Sequence, residues 1–270
     1  MMGRGGSDNY KINIGDTIEI DDEGNVVAGD YGVAGDVINE IGGSSDDKSD
    51  SITLSSAQSI DQLSFSRTEI KNEEWSNTLR IDVDYDGDGT NDDTLYVFDH
   101  YNEDLGFRAV EKLFLDDGWD TDEIWNLVVG DTNPSGDTYN GSSGQDVLIA
   151  GLAASSTLYG GDGKDIMIGD SNSLVEGESY AKTTIFELGN KEGEWDQIAD
   201  IIQGFGAGDE LDLSALGIED SSSLSVAGDA LVAQMNESSV TIAEFKDFND
   251  GLTLEQLLTE EGSIIYGNVS

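Results

Sequence analysis

Oxygen is the only metal-binding or catalytic chemistry that this chain carries in quantity. Its 270 residues hold 57 Asp plus Glu against 12 Lys plus Arg, with one histidine and no cysteine. Thiolate sites, disulfides and His/Cys zinc centres are therefore out of reach, and cysteine usage says nothing about redox compartment. Catalysis finds little to work with. A Ser–His–Asp triad could use only His100, which stands alone on a predicted strand and reads as a surface or core histidine; no G-x-S-x-G elbow accompanies it. Nothing singles out one carboxylate pair for glycoside hydrolysis among so many. The four tryptophans, Trp75, Trp119, Trp125 and Trp195, are scattered, which favours core packing over a sugar-binding platform. The expectation is a protein that is not an enzyme.

What carboxylates in these patterns can do is hold hard cations. In "DVDYDGDGTNDD", residues 82–93, Asp84, Asp86 and Asp88 alternate, Gly89 permits a sharp turn, and Thr90, Asp92 and Asp93 close the loop. So many like charges at close quarters repel one another unless a cation lies among them. The spacing resembles the D-x-D-x-D-G calcium loop of EF-hand-like sites. It lacks the closing glutamate and falls between two predicted strands, so a metal-clasped hairpin is expected rather than a helix–loop–helix. The same argument extends to the whole chain. A formal net charge of −45 on a chain with 37% apolar residues would keep it expanded. Oxygen-rich sites point to calcium, several ions of it, as the counter-charge. The missing basic patch excludes nucleic acid and disfavours an anionic membrane surface. No stretch approaches the ~18 apolar residues of a membrane span.

A second pattern is a repeat. Gly160-Gly161-Asp162-Gly163-Lys164-Asp165-Ile166-Met167-Ile168 meets G-G-x-G-x-D-x-U-x, with U a large apolar residue, at every fixed position. Gly141-Ser142-Ser143-Gly144-Gln145-Asp146-Val147-Leu148-Ile149 meets it with serine for the second glycine. A degraded copy has Asp137 and Tyr139 nine residues before Asp146 and Leu148. Between the good copies, "GLAASSTLY" keeps Gly151 and Leu158 but puts Ser156 in the aspartate slot, and Ala150 offsets the register. Glycines permit the positive φ of a tight turn and let carbonyls crowd round an ion. The aspartate adds a charged ligand, and the residue two later points into the core. Two nonads make one coil, so Asp146 and Asp165, 19 residues apart with Ala150 inserted, are expected to face each other across a shared ion. Gly141, Ser143, Gly144, Gly160, Gly161 and Gly163 are the accompanying turn ligands, with Asp162 at a turn position where side chains usually point outward. These nonads resemble those of the RTX (repeats-in-toxin) proteins exported by type I secretion. The resemblance implies an all-β, calcium-bound parallel β-roll, flanked here by further strands and a few short helices.

The flanks must position this centre. Upstream, Asp8/Tyr10, Asp36/Ile38 and Asp50/Ile52 repeat an aspartate-x-apolar unit, the last two 14 residues apart. "DQLSFSR", "NTLRIDVDY", "TLYVFDHY" and "RAVEKLFLDDG" alternate as strands do. "GWDTDEIWNLVVG" reads as a short helix capped by Asp120 or Thr121, with Ile124, Leu127 and Val128 as its apolar face and Gly130 at its end. Downstream, "TTIFEL" is a strand, and residues 196–217 resemble the signature that ends many RTX exoproteins. Asp200, Asp209 and Asp212 occupy its acidic positions, and Phe205 is displaced from its usual place. "ALVAQM" and "SVTIAEF" are strands, Thr253-x-x-Gln256 is a capping box opening "LEQLL", and "SIIYGNVS" closes the chain. The expected organisation is a β-rich calcium-binding region over 1–130, the nonad β-roll over 131–175, and a C-terminal β cap over 176–270.

The resemblance implies a non-catalytic region of a larger secreted or surface adhesin that folds on extracellular calcium and carries a C-terminal type I secretion signal. "MMGRGGSDNY" has no apolar core of a signal peptide. Export without an N-terminal signal, a type I exporter as partner, and upstream domains of the same polypeptide follow as expectations. The alternative is a module that binds carbohydrate or a surface.

Overall fold

The computed structural model describes residues 2–3, 9–13, 36–40, 50–55, 59–68, 78–84, 86–98, 112–116, 123–129, 138–150, 155–169, 183–189, 198–206, 208–235, 238–246, 253–259 and 263–267. These form two compact units. One comprises Met1–Trp125 with Ser173–Val175, the other Asn126–Asn172 with Glu176–Ser270. Both are built mostly of β-strands with parallel pairing.

In the first unit the chain passes between two sets of strands. β1 (Met2–Gly3) and β3 (Asp36–Glu40) pair in parallel, and β3 pairs in parallel with β7 (Asp93–Phe98). β7 continues antiparallel through β6 (Thr78–Val83) to β5 (Leu63–Thr68). The other set is parallel throughout: β2 (Asn9–Asn13), β4 (Ser51–Ser55) and β8 (Lys112–Asp116). Tyr10, Ile52 and Leu113 stack in one register and are all buried, while Ile38 stacks on Val97 in the other set. The Asp36/Ile38 and Asp50/Ile52 units therefore belong to different sheets, which their 14-residue spacing alone does not reveal.

The short helix expected within residues 118–130 is not formed where the structure describes it: Glu123–Val129 is strand β9. Burial there has period two, with Trp125 and Leu127 inside and Ile124 46% exposed. A helix would have put Ile124 on the buried face. β-Branched and aromatic residues at 124, 125, 128 and 129 favour the pleated conformation once neighbours exist to pair with. Asp120, Thr121 and Gly130 lie outside the described residues.

The second unit alternates between two sheets. β10 (Thr138–Asn140), β12 (Ser155–Tyr159), β14 (Thr183–Glu187), β16 (Glu210–Asp212) and β20 (Ile264–Ile265) pair in parallel in that order. β11 (Gln145–Ile149), β13 (Ile166–Ile168), β15 (Asp200–Gln203) and β19 (Ser238–Lys246) form the parallel part of the other. That sheet ends in the antiparallel hairpin of β18 (Ala230–Met235) and β17 (Leu224–Ala227). Each circuit of the chain drops one large apolar residue onto the one before. Tyr139, Leu158, Phe186, Leu211 and Ile264 make one column, and Leu148, Met167, Ile202 and Phe245 the other. All are buried, and Phe205 joins them with its ring 5.6 Å from Phe186 and 5.8 Å from Phe245. In β10, β14 and β16 burial alternates, whereas β11, β13 and β15 are almost wholly buried on both faces.

The C-terminal segment is part of this core. Helix α1 (Leu254–Leu257) starts at the expected Thr253 capping box, formed in both directions, and buries Leu254 and Leu257. Among the described residues no helix is long and apolar enough to cross a membrane.

Candidate metal centre

Parallel pairing of Val147 with Ile166, and of Ile166 with Ile201, sets the three preceding residues in one row: Asp146, Asp165 and Asp200. Each stands where a turn enters a strand, and their exposures are 0%, 0% and 7%. The row is tied together by backbone. The Asp146 N–H donates to Asp165 Oδ1 at 3.0 Å, and the Asp165 N–H donates to Asp200 Oδ1 at 3.1 Å. The sequence separations are 19 and 35, and the register is kept across both. Asp146 is held further by its own turn: Oδ2 accepts from the Ser142 N–H at 2.7 Å and from the Ser142 hydroxyl at 2.9 Å.

The turns before Asp146 and Asp165 lie against each other with space for hydrogen only. Gly161 and Gly163 adopt φ of +101° and +114°. A Cβ on Gly161 would overlap the Ser142 carbonyl oxygen, and one on Gly163 would press on the Gly144 carbonyl oxygen. One on Gly141 would overlap the Gly160 carbonyl oxygen, and one on Gly160 would overlap Asp165 Oδ2. Glycine is required because carbonyl and carboxylate oxygens of two turns crowd into the same place. Such a donor set is all oxygen and carries buried negative charge. That suits a hard cation such as calcium, since a carboxylate can accept an N–H on one lone pair and keep others for an ion. Ser143 is exposed at the turn tip and Asp162 half-buried beside Gly161.

The opposite flank of the same unit is different. Ser156 pairs with Thr184, and the register carries Thr184 onto Asp209. This row has two hydroxyls where the other has carboxylates. Asp209 is 6% exposed; its Oδ1 accepts the Thr184 N–H at 2.7 Å and its Oδ2 the Gly206 N–H at 2.9 Å. Asp212 belongs to neither row and accepts the Ser214 N–H at 2.8 Å, at the start of a 3-10 turn. Asp137 lies outside the described residues.

In the first unit, "DVDYDGDGTNDD" closes the antiparallel β6–β7 hairpin as expected. One oxygen each from Asp84, Asp86 and Asp88 lies within 4.8 Å of the others. Backbone holds them in place: Asp84 accepts the Gly87 and Gly89 N–H groups, both at 2.8 Å, and Asp86 accepts the Asp88 N–H at 3.1 Å. Gly87 and Gly89 make this possible with φ of +73° and +86°. The Thr90 hydroxyl and N–H both donate to Asp88 Oδ1, which holds the Asp88 carboxyl below its usual range. Asp92 closes the hairpin through its N–H to the Val83 carbonyl at 2.7 Å. Asp93 is turned inward, 6% exposed, with Oδ1 accepting the Thr94 N–H.

Two residues at the nonad centre carry weight that the motif does not announce. Ser142, in a glycine slot, supplies a hydroxyl to Asp146, and Asn126 of β9 donates its side-chain amide to Asp146 Oδ1 at 2.9 Å. The signal for Asn126 was spacing, since it lies 20 residues before Asp146, close to one circuit. Of the aromatic candidates, Trp125 is fully buried, while Trp75, Trp119, Trp195 and the lone His100 lie outside the described residues.

No family model and no curated protein matches this chain. Among solved structures it is similar to the extracellular lipase LipA from Serratia marcescens, at 14% identity and a TM-score of 0.26. That match covers 98% of this chain, which spans 38% of the lipase chain.

Proposed function

We propose that this chain is a non-catalytic, calcium-folded β-roll region of a larger type I-secreted exoprotein, an adhesin being the leading candidate. The observation that carries the reading is the buried row of Asp146, Asp165 and Asp200 beside glycine turns whose carbonyls leave no room for a side chain. Three buried carboxylates in adjacent strands are unfavourable without a counter-charge. The residues that would hold calcium there are the carboxylates of Asp146, Asp165 and Asp200 with the carbonyls of Ser142, Gly144 and Gly160; in the hairpin they are Asp84, Asp86 and Asp88. Calcium, when bound, supplies the positive charge that lets a chain of net charge −45 compact. The chain's own part is to bring the rows into register, exclude water from the carboxylates and lock the turns with glycine.

Coupling of folding to calcium suits export: an acidic chain stays unfolded where calcium is scarce and folds once outside. The tail that carries Leu254, Leu257 and Ile264, all part of the core of the second unit, would act as the export address only while unfolded. The test is far-UV circular dichroism and small-angle scattering of the purified chain against calcium and, separately, magnesium. Conversion from expanded to compact β structure by calcium alone supports the reading. The same compact state in excess chelator overturns it. Secretion through a type I exporter that persists after deletion of residues 253–270 would remove the address from that tail.

A further inference from the structure

The row of carboxylates changes character at one end. From Asp200 to Asp165 and from Asp165 to Asp146, each carboxylate accepts the backbone N–H of the aspartate one circuit earlier. At Asp146 the pattern stops. Its Oδ1 accepts from the Asn126 side-chain amide at 2.9 Å, and the same Nδ2 reaches the Ser142 hydroxyl oxygen at 3.2 Å and the Gln145 carbonyl at 3.4 Å. Three oxygens of different kinds, a carboxylate, a hydroxyl and a carbonyl, thus converge on one nitrogen. An oxygen nest of that composition is what a hard cation would take. Here the atom at its centre is the Nδ2 nitrogen of a neutral amide, which offers only N–H donors.

We infer that Asn126 is the metal-free terminus of the calcium row: its amide stands in for an ion, closing the row at the β9 end. The inference rests on the calcium reading proposed above. An aspartate at 126 would extend the repeat by one rung, since 126 lies 20 residues before 146, and 146 lies 19 before 165. Asparagine has nearly the same shape but reverses the chemistry at the atom facing Asp146, from an acceptor that needs a cation to a donor that excludes one. The rung made by Asn126, Ser142 and Asp146 can therefore close without calcium. It offers the next turn, residues 160–165, a preformed surface on which to settle. Asn126 is a positioning residue in this account: it sets where the row of ions ends and does not ligate one.

The test uses the full chain, calcium alone as the probe, and two readouts: ions bound per chain by calorimetric titration and native mass spectrometry, and the slope of folding against log free calcium. Asn126→Asp places a carboxylate against Asp146, so it is expected to bind one more calcium ion per chain than the wild type, with a steeper slope and a higher calcium midpoint. Asn126→Ala is expected to keep the wild-type ion count and lose stability at every calcium concentration. An unchanged ion count and slope in Asn126→Asp overturns the inference, and so does an ion lost in Asn126→Ala, which would make the asparagine itself a ligand. If Asn126→Asp fails to fold at any calcium concentration, the Asn126→Ala ion count decides between those outcomes. A wild-type chain that binds no calcium defeats the calcium reading and this inference together. A wild-type chain that needs calcium, with no extra ion in Asn126→Asp, defeats the inference alone.

Discussion

Replacing Asp165 by asparagine separates two things that its carboxylate does. Oδ1 accepts the buried Asp146 N–H at 3.0 Å, and the charge stands between those of Asp146 and Asp200 in adjacent strands. Strands lie about 4.8 Å apart, so each like-charged neighbour repels Asp165 by about 3 kcal/mol at an effective dielectric of ~20. Asparagine keeps the acceptor and removes the charge. Without calcium, Asp165→Asn is therefore expected to be more stable than the wild type, by at most about 3 kcal/mol per neighbour, because N–H donors already offset part of the repulsion. In saturating calcium the order reverses. An ion held at a hundred times its Kd contributes about 2.7 kcal/mol, and a variant that cannot hold it is less stable by about that amount. Asp165→Ala also orphans the Asp146 N–H, at a further cost of about 1–3 kcal/mol whatever the calcium concentration. The assay is urea unfolding followed by circular dichroism at fixed free calcium, with an osmolyte added at the chelated end to bring every variant into the folded range. Asp162→Ala, at a half-buried turn position, is the control and should move little. Wild-type and Asp165→Asn curves that run parallel across the whole calcium range would refute an ion at Asp165. Coincident Asp165→Ala and Asp165→Asn curves would show that the bond to Asp146 contributes nothing.

Gly161→Ala should be clearly worse than Gly208→Ala in urea midpoint. Both need positive φ, at +101° and +95°, which costs roughly 1–2 kcal/mol, but only Gly161 also has the Ser142 carbonyl in the way. Equal losses would sink the close approach of the two turns. Asp209→Ala should destabilise the second unit by about 2–4 kcal/mol, since it orphans the N–H groups of Thr184 and Gly206. Asp209→Asn, with one acceptor left, should fall between; a large rise in the calcium midpoint for Asp209→Asn, with stability in saturating calcium unchanged, would instead make Asp209 a ligand. Burial pushes the Tyr266 phenol above its ordinary 10.0, an effect opposed by Ser221 and assisted by Asp220. A group held neutral by folding stabilises the fold below its unfolded pKa and loses that contribution as pH rises above about 10, so alkaline stability curves should fall there; Tyr266→Phe should lessen that fall, and Tyr96, whose phenol burial also pushes up, keeps the rest. A Tyr266→Phe curve identical to the wild type would show that another group titrates.

Local rules reached a good deal of this protein. The place of each nonad aspartate, the apolar residue two positions on, the acidic hairpin tip and the Thr253 capping box all depend on neighbours within a few residues, so they are written in short motifs. The 19-residue offset of Asp146 and Asp165 was legible because it is a sum of repeats. What escaped was decided between circuits. Glu123–Val129 carries a helical spacing of apolar residues, yet burial of Trp125 and Leu127 with Ile124 outside makes it a strand, because strand pairing outweighs a weak helical preference. Asp200, Asp209 and Asp212 look alike in their signature. Only the register separates them, placing Asp200 in the carboxylate row, Asp209 on the opposite flank as an acceptor for backbone, and Asp212 at a 3-10 turn. Asn126 gains its role from oxygens brought to it by the next turn. Sequence thus determined which residues could carry charge into the interior. The parallel register determined which of those charges meet, since a hydrogen bond or a shared cation acts over about 3 Å and no motif fixes distances across separate circuits.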